Sequence, residues 1–360
     1  VRKCLGKMKI YPEEARNNFE STIEWLKDKA CARKSGLGTP LPWDKEWIVE
    51  TLSDSTIYMA FYTIAHIVTK IPSEKLTDEL FDFIFLGRGD PKKLSKITKI
   101  NENLIKKMKD ECNYFYPMDI RNSGKDLVQN HLTFFIFQHT ALFPETKWPK
   151  AISVNGFVNV EGEKMSKSKG NFIPLKDLVE KHGADLVRIN ITASGQGIDD
   201  ADWREDNIRS YKNRYENLVQ GIHDLKDAKK TNVESIDLYL QSKMQRHIEN
   251  ATKDYEQLAF RDAVQAALFE ALNDMKWYMR RVGDTKKVNK KIMKTYIETI
   301  VKLMTPITPH VCEELWTMLG GKGFIATEEW PVANATRESI ESELGEELLK
   351  KTLADVEEVK

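Results

Sequence analysis

The stretch of the sequence best suited to chemistry is a short lysine-bearing segment between two glycines. It runs from Gly162 to Asn171, reads G-E-K-M-S-K-S-K-G-N, and carries Lys164, Lys167 and Lys169 among small residues. Glycine and serine favour turns and let a ligand approach the backbone closely. Ammonium groups and backbone N–H donors together suit a polyanion such as a triphosphate. By composition alone the segment could equally be a basic surface turn.

The order of the residues favours the first interpretation. K-M-S-K-S followed by K-G-N resembles the second signature of class I aminoacyl-tRNA synthetases. Further stretches between about residues 20 and 331 resemble the leucine-specific enzymes of archaeal and eukaryotic cytosolic type. These stretches are Gly36–Asp44, Glu50–Ala60, Ser123–Leu132 and Val154–Phe157. Two more, Pro306–Trp316 and Glu329–Pro331, have a form that the isoleucine, valine and methionine enzymes share.

The resemblance implies a definite reaction. Such an enzyme activates leucine with ATP to form leucyl-adenylate, and then transfers the leucyl group to the terminal ribose of tRNA(Leu). Attack of the leucine carboxylate on the α-phosphate requires alignment and charge stabilisation rather than an acid–base residue. Magnesium (Mg2+) is implied together with ATP, held largely by phosphates and water, so we name no metal ligands in the protein.

The resemblance also assigns roles to single residues. Lys164 and Lys167 would hold the ATP phosphates as the catalytic residues, with Lys167 the main one. The other expected ATP contacts are Met165 and Val154 at the adenine, Gly124 and Asp126 at the adenosine, and Ser166 and Ser168 in the loop. The residues expected around the leucine side chain are Ser55, Tyr58 and His131.

Three of these residues also have a structural interpretation. Tyr58 could be a core aromatic residue on a helix, and His131 could be a buried histidine with satisfied hydrogen bonds. Asp126 could cap a helix after Gly124, although a carboxylate in that position could also accept hydrogen bonds from ribose hydroxyls. The sequence leaves these alternatives open.

The overall composition limits other functions. The 360 residues include 55 basic and 55 acidic side chains, a formal net charge of zero, which is not typical of a protein that coats nucleic acids. No apolar run is long enough to span a membrane. The four cysteines form no C-x-x-C pair, so we expect a reduced, cytoplasmic protein without a zinc site. Any contact with tRNA must come from a local basic patch, and the candidate is the cluster of Arg280, Arg281, Lys286, Lys287, Lys290, Lys291 and Lys294. Within it we expect Arg280, Arg281, Lys287 and Lys291 to bind tRNA; a solvated helix end is the alternative.

One expected motif is missing. The first class I signature, H-x-G-H, does not occur, since no two of the seven histidines are three residues apart. We therefore expect a missing N-terminal catalytic half, with the editing domain, to act as a partner, and this chain alone to be inactive. A synthetase-like RNA-binding scaffold is a second hypothesis. Isoleucine or valine specificity is a third, although those enzymes usually carry S-S-W-Y where this sequence reads S-T-I-Y.

The hydrophobic pattern predicts an α/β Rossmann-like half-domain with a parallel sheet, followed by an all-α helical bundle. The resemblance implies that the first is part of the catalytic domain and that the bundle is of anticodon-binding type. Asp54 or Ser55 is expected to cap a helix that begins near Thr56. The elements predicted around the lysine loop are a strand over Met118–Arg121, a helix over Lys125–Leu142, a strand or hairpin edge over Ile152–Val160, and helices over Leu175–Lys181 and Ala184–Thr192. The predicted domains are a catalytic segment 1–72, a helical insertion 73–112, the second catalytic half 113–200, the bundle 201–335 and a helical tail 336–360.

Overall fold

The computed structural model of the protein describes residues 1–26 and 31–358. Residues 27–30, in the predicted segment 1–72, and residues 359–360, in the predicted tail, lie outside this description. The chain divides into two compact units, an N-terminal unit Val1–Asn155 and a C-terminal unit Gly156–Lys360. Since this boundary falls inside the predicted segment 113–200, the five-part division of the chain stays a prediction.

A three-stranded parallel sheet organises the N-terminal unit. The strands of this unit are β1 (Lys9–Tyr11), β2 (Ala32–Arg33), β3 (Ile48–Val49), β4 (Arg121–Gly124) and β5 (Ala151–Asn155). The sheet has the order β1-β5-β4, while β2 and β3 form a separate antiparallel pair. Ala151, Ile152 and Val154 of the middle strand are buried, as expected where both faces of a parallel sheet are covered.

The N-terminal unit also contains a series of helices. They are α1 (Arg2–Lys7), α2 (Arg16–Trp25), α3 (Thr51–Asp54), α4 (Tyr58–Tyr62), α5 (Ala65–Val68), α6 (Asp78–Phe81), α7 (Pro91–Thr98), α8 (Glu102–Phe115) and α9 (Thr133–Leu142). The lysine-rich stretch around α6–α8 shares one apolar core with α4 and α5, in which Leu80, Ile84, Ile105 and Met108 are fully buried. Asp90 caps α7 by accepting a hydrogen bond from the N–H of Lys92, a favoured way to begin a helix.

The predicted helix over Lys125–Leu142 is confirmed, but its first part is not α-helical. A 3-10 turn (Lys125–Leu127) and a π-helical turn (Val128–Leu132) precede α9. In the wide turn, the hydroxyl of Thr133 donates to the carbonyl of Val128, five residues earlier, at 2.6 Å. Single π turns of this kind occur often at functional sites.

Two local predictions are wrong. The strand expected over Met118–Arg121 begins at Arg121, because its position is set by pairing with β5 rather than by the apolar residues before it. The helix expected near Thr56 begins at Tyr58 without a side-chain cap. Glu50 is the capping residue, and it caps the preceding helix α3.

The C-terminal unit begins with a small mixed sheet. Its strands are β6 (Val158–Val160), β7 (Glu163–Lys164) and β8 (Ala201–Trp203), in the order β7-β6-β8. Strand β6 is antiparallel to β7 and parallel to β8. The segment Ile152–Val160, for which a strand or a hairpin edge was predicted, thus holds two strands, β5 and β6. Gly156 lies between them, and a Cβ atom there would meet the carbonyl oxygen of Asp199 at 2.0 Å, so only glycine fits.

Helices make up the rest of this unit. They are α10 (Leu175–His182), α11 (Ala184–Ser194), α12 (Glu205–Asp224), α13 (Ser235–Glu256), α14 (Phe260–Val264), α15 (Ala271–Val282), α16 (Lys290–Met304), α17 (Pro309–Met318) and α18 (Ile340–Glu358). Leu178 of α10 packs in a small cluster with Val187, Trp203 and Ile208. The apolar faces of the other helices form the main core, in which Tyr239, Tyr278 and Tyr296 are fully buried. No helix in the described part of the chain is long and apolar enough to cross a membrane.

The last helix, α18, packs on this core through polar contacts. Glu346 is buried and accepts hydrogen bonds from Nε1 of Trp277 and Nε of Arg281, both at 2.9 Å. Lys350 donates to the hydroxyl of Tyr239 at 2.7 Å. These bonds join α18 to α13 and α15.

Candidate active site

The predicted site residues are divided between the two units. In the N-terminal unit, β4 ends at Gly124, and a Cβ atom there would meet Oδ1 of Asp126 at 2.6 Å. Glycine therefore leaves room for this carboxylate. Asp126 is exposed, and the cap position of its turn is Gly124 rather than Asp126. A carboxylate that is exposed at the end of a parallel strand is available to ribose hydroxyls.

Val154, which was expected at the adenine, lies in the middle strand of the sheet. It lies near the carboxyl end of β5, paired with Ser123, and its side chain is 2% exposed. A buried side chain cannot flank a ligand without movement. The backbone of Val154 is the part of this residue that is available to a ligand at the edge of the sheet.

Two of the three expected leucine-binding residues are joined by a residue that was not predicted. Arg121, the first residue of β4, donates from Nη1 to the Tyr58 hydroxyl at 2.7 Å and from Nη2 to Nε2 of His131 at 3.2 Å. Tyr58 is half-buried and its ring packs edge-on against Tyr62. The third residue, Ser55, lies directly after α3 and is half-buried.

His131 is held in the neutral state. Its Nδ1 lies 3.1 Å from the carbonyl oxygen of Leu52, which can only accept, so Nδ1 carries the proton and Nε2 accepts from Arg121. Burial lowers the pKa of His131; the hydrogen bond to Leu52 opposes this shift, and the positive charge of Arg121 adds to it. A neutral imidazole is compatible with an apolar ligand. The structural interpretation of His131 as a satisfied buried histidine also fits these bonds.

The lysine loop lies in the C-terminal unit. Its start forms β7, and Asn171 closes it: Oδ1 of Asn171 accepts from the N–H of Ser166 at 2.8 Å, and Nδ2 donates to the carbonyl of Lys164 at 3.1 Å. The hydroxyls of Ser166 and Ser168 lie 2.8 Å apart. Met165 is half-buried.

The three lysines of the loop differ in their partners. Lys169 pairs with Glu163 at 3.3 Å. Lys164 and Lys167 are exposed, each with its Nζ over an aromatic ring, at 5.2 Å from Phe157 and 5.4 Å from Phe172. Neither ammonium group forms an ion pair within the described residues. The two lysines that were expected to hold phosphates are therefore those whose charge is not neutralised.

The structure changes the predicted basic patch in two ways: an acidic residue neutralises part of its charge, and a cleft beside it adds further lysines. Arg280, Arg281, Lys287 and Lys291 are all exposed, but Arg281 pairs with Glu346. The sequence did not predict the cleft of about 640 Å³ beside the patch, which is also lined by Lys286 and adds Lys229 and Lys230 to the patch. Lys230 is neutralised by Asp237 at 2.7 Å. The cations of this cleft left without an ion pair among the described residues are Lys229, Lys286 and Lys287.

Two family models match the chain. Residues 120–226 match the model described as tRNA synthetases class I (M), and residues 237–360 match that of the anticodon-binding domain of tRNA ligase. A leucine–tRNA ligase of Pyrococcus abyssi is 45% identical over 372 residues, which cover 100% of this chain and 38% of that protein. One of Methanothrix thermoacetophila is 42% identical, with the same shares.

The chain is a homologue of the leucine–tRNA ligases. It spans 38% of the length of the leucine–tRNA ligases just named. Among solved structures, a LeuRS of Agrobacterium radiobacter K84 in a ternary complex with tRNA and LeuAMS matches with a TM-score of 0.59 and 20% identity, over 89% of this chain and 37% of that one. Mycobacterium tuberculosis methionyl-tRNA synthetase with methionyl-adenylate matches with a TM-score of 0.65 and 17% identity, over 87% and 59%. These likenesses confirm the predicted fold class, a Rossmann-like half with a parallel sheet followed by a helical domain.

Proposed function

We propose that this chain is part of a leucine–tRNA ligase, which activates leucine with ATP and transfers the leucyl group to tRNA(Leu). The main observation in support is the lysine loop, which lies in a chain homologous to leucine–tRNA ligases. Asn171 closes this loop with its hydrogen bonds, and the ammonium groups of Lys164 and Lys167 are not neutralised. Unpaired cations on a shaped loop are suited to the phosphates of ATP and to the charge of departing pyrophosphate.

The proposed chemistry has two steps. A carboxylate oxygen of leucine attacks the α-phosphorus of ATP, the bond to pyrophosphate breaks, and leucyl-adenylate forms. A hydroxyl of the terminal tRNA ribose then attacks the leucyl carbonyl, and AMP leaves. In the first step Lys164 and Lys167 stabilise negative charge, Asp126 and the Gly124 backbone hold the adenosine, and the positions Met165 and Val154 lie at the adenine.

Further components are needed for a complete enzyme. We propose that magnesium (Mg2+) enters with ATP, bound by phosphate oxygens and water, as is usual for this ion at nucleotide sites. We propose that another polypeptide segment supplies the H-x-G-H half and the editing domain. This chain together with that segment is called the complete enzyme below, and we propose that it acts in the cytoplasm.

Amino-acid-dependent ATP–pyrophosphate exchange tests this function. The complete enzyme should exchange with leucine far better than with isoleucine, valine or methionine, and this chain alone should show no exchange. Preference for another of these amino acids would overturn the leucine assignment. Binding of tRNA without exchange for any amino acid would favour the RNA-binding scaffold.

The basic patch offers a second test, directed at tRNA. Replacing Lys286, Lys287 and Lys291 by alanine should weaken tRNA binding and flatten the dependence of log K on log salt, by about 0.7–0.9 for each phosphate that is no longer neutralised. Arg281→Ala should change this slope less, because Glu346 already neutralises Arg281. An unaltered slope in the triple variant would assign these lysines to a solvated surface.

A further inference from the structure

Arg121 occupies an unusual place in the N-terminal unit. Its guanidinium lies 5.4 Å from the ring centre of Tyr58 and donates to side chains on two other segments, Tyr58 in α4 and His131 in the π turn. Both acceptors belong to the set expected around leucine. Arg121 is therefore the residue through which these two side chains are connected.

The charge of Arg121 is not used in an ion pair. No carboxylate pairs with this guanidinium in the part of the chain that the structure describes, and its Nε is buried without a hydrogen-bond partner. Partial burial of a cation costs hydration free energy, and here no ion pair offsets this cost. The main contribution of Arg121 is thus its two directed hydrogen bonds.

The two bonds fix different properties of their acceptors. The rigid fork of a guanidinium holds two acceptors at a set spacing, which a lysine cannot do. Toward His131, the fork occupies the lone pair of Nε2, while Leu52 of α3 holds Nδ1–H. Toward Tyr58, it leaves the phenol hydrogen free to donate. The charged or titratable groups facing His131 in these contacts are Arg121 and, beyond it, Tyr58.

We propose that Arg121 is a positioning residue of the amino-acid pocket, which holds the Tyr58 hydroxyl and a neutral His131 in the places where they contact the leucine substrate. The identity of the ligand, leucine, rests on the proposed function. The coupling of Arg121 to His131 does not depend on that function. Arg121 itself need not touch leucine. Its loss should therefore affect binding of the amino acid and leave binding of ATP nearly unchanged.

The kinetic test compares Arg121→Gln and Arg121→Lys in the complete enzyme. Because each charge-assisted hydrogen bond is substantial, Arg121→Gln should raise KM for leucine by about tenfold to a hundredfold, with KM for ATP within about twofold. Arg121→Lys keeps the charge without the fork and should lie between. Equal rises in both KM values, or no rise for leucine in a folded variant, would overturn the proposal.

A matched control is available in the same unit. Arg16 donates from Nη1 to the carbonyl of Leu5 at 2.7 Å and from Nη2 to that of Met8 at 2.9 Å. Arg16→Gln should lower thermal stability without changing KM for leucine. If Arg16→Gln raised KM for leucine as much as Arg121→Gln does, the effect would be general loosening and the proposal would fail.

An NMR measurement on the chain itself separates the inference from the proposed function. A pH titration of the His131 ring should show a higher pKa in Arg121→Gln, because the variant removes a positive charge that disfavours protonation. An unchanged pKa would overturn the coupling whatever the substrate is. If the pKa of His131 rises as expected but the enzyme activates another amino acid, only the leucine assignment fails. The effect of Arg121→Gln on KM is then measured for that amino acid instead of leucine.

Discussion

Asn171 closes the lysine loop with two hydrogen bonds, to the N–H of Ser166 and to the carbonyl of Lys164. Asn171→Ala removes both. Each is worth about 0.5–1.5 kcal/mol net, so the closed loop should lose about 1–3 kcal/mol relative to open forms. Since 1.4 kcal/mol corresponds to a factor of about ten in rate, kcat/KM for ATP should fall by about fivefold to a hundredfold. Lys164 and Lys167 remain in the variant, so the decrease in kcat/KM for ATP would measure how much their arrangement in the closed loop contributes to activity.

The assay is leucine-dependent ATP–pyrophosphate exchange by the complete enzyme, with ATP varied at saturating leucine. The control is Lys176→Ala in α10, which removes a lysine whose side chain is 82% exposed and pairs with Glu180. This exposed pair contributes little, so the control should stay within about twofold. Thermal unfolding should be nearly unchanged in both variants, because the bonds they remove are near the surface.

One result would refute the reasoning. If Asn171→Ala retained kcat/KM for ATP within about twofold and remained folded, the loop would be shaped by ATP rather than by its own hydrogen bonds. The arrangement of Lys164 and Lys167 in the free protein would then carry no information about catalysis.

Three further outcomes are expected. Lys167→Ala should slow activation by about 10²–10³-fold without loss of stability; an effect on leucine affinity alone would contradict its role at the phosphates. Glu346→Ala should lower the free energy of unfolding by about 2 kcal/mol in urea titrations, chiefly because Trp277 Nε1 loses its acceptor inside the fold, while the half-exposed Arg281 adds little. Burial lowers the pKa of His139 to about 4. The unfolded chain takes up this proton near pH 6.5, so the fold should lose about 3 kcal/mol as pH falls from 6.5 to 4, and urea titrations should show this loss to be much smaller in His139→Gln.

The elements around the site could be predicted largely from local patterns. Helices α10 and α11 follow apolar periodicity, and the helix ending at Leu142 is a nearly continuous apolar run. Both signals are properties of neighbouring residues. Strand β4 was misplaced because Arg121–Gly124 contains no β-branched or aromatic residue, and only its partner β5 defines it as a strand. Pairing between segments that are distant in sequence is not visible in the residues of one strand.

The same reason explains what was missed in the site. Lys164 and Lys167 could be found because the motif is contiguous. Arg121 bonds to Tyr58, 63 positions away, and no local pattern marks that contact. In the basic patch, Arg281 was counted as a free cation, since nothing near it in sequence indicates that Glu346 of α18 neutralises it.

The π turn Val128–Leu132 has a consequence for comparing this chain with related sequences. A π turn holds one residue more than the α turn it replaces, so deleting a single residue here would restore regular α-helix and rotate everything before it by about 100° relative to α9. His131 would then face another direction while the sheet stayed intact. In an alignment, a relative with a single-residue gap in this segment should therefore have a changed amino-acid pocket. Such a gap is more informative about the pocket than the substitutions around it.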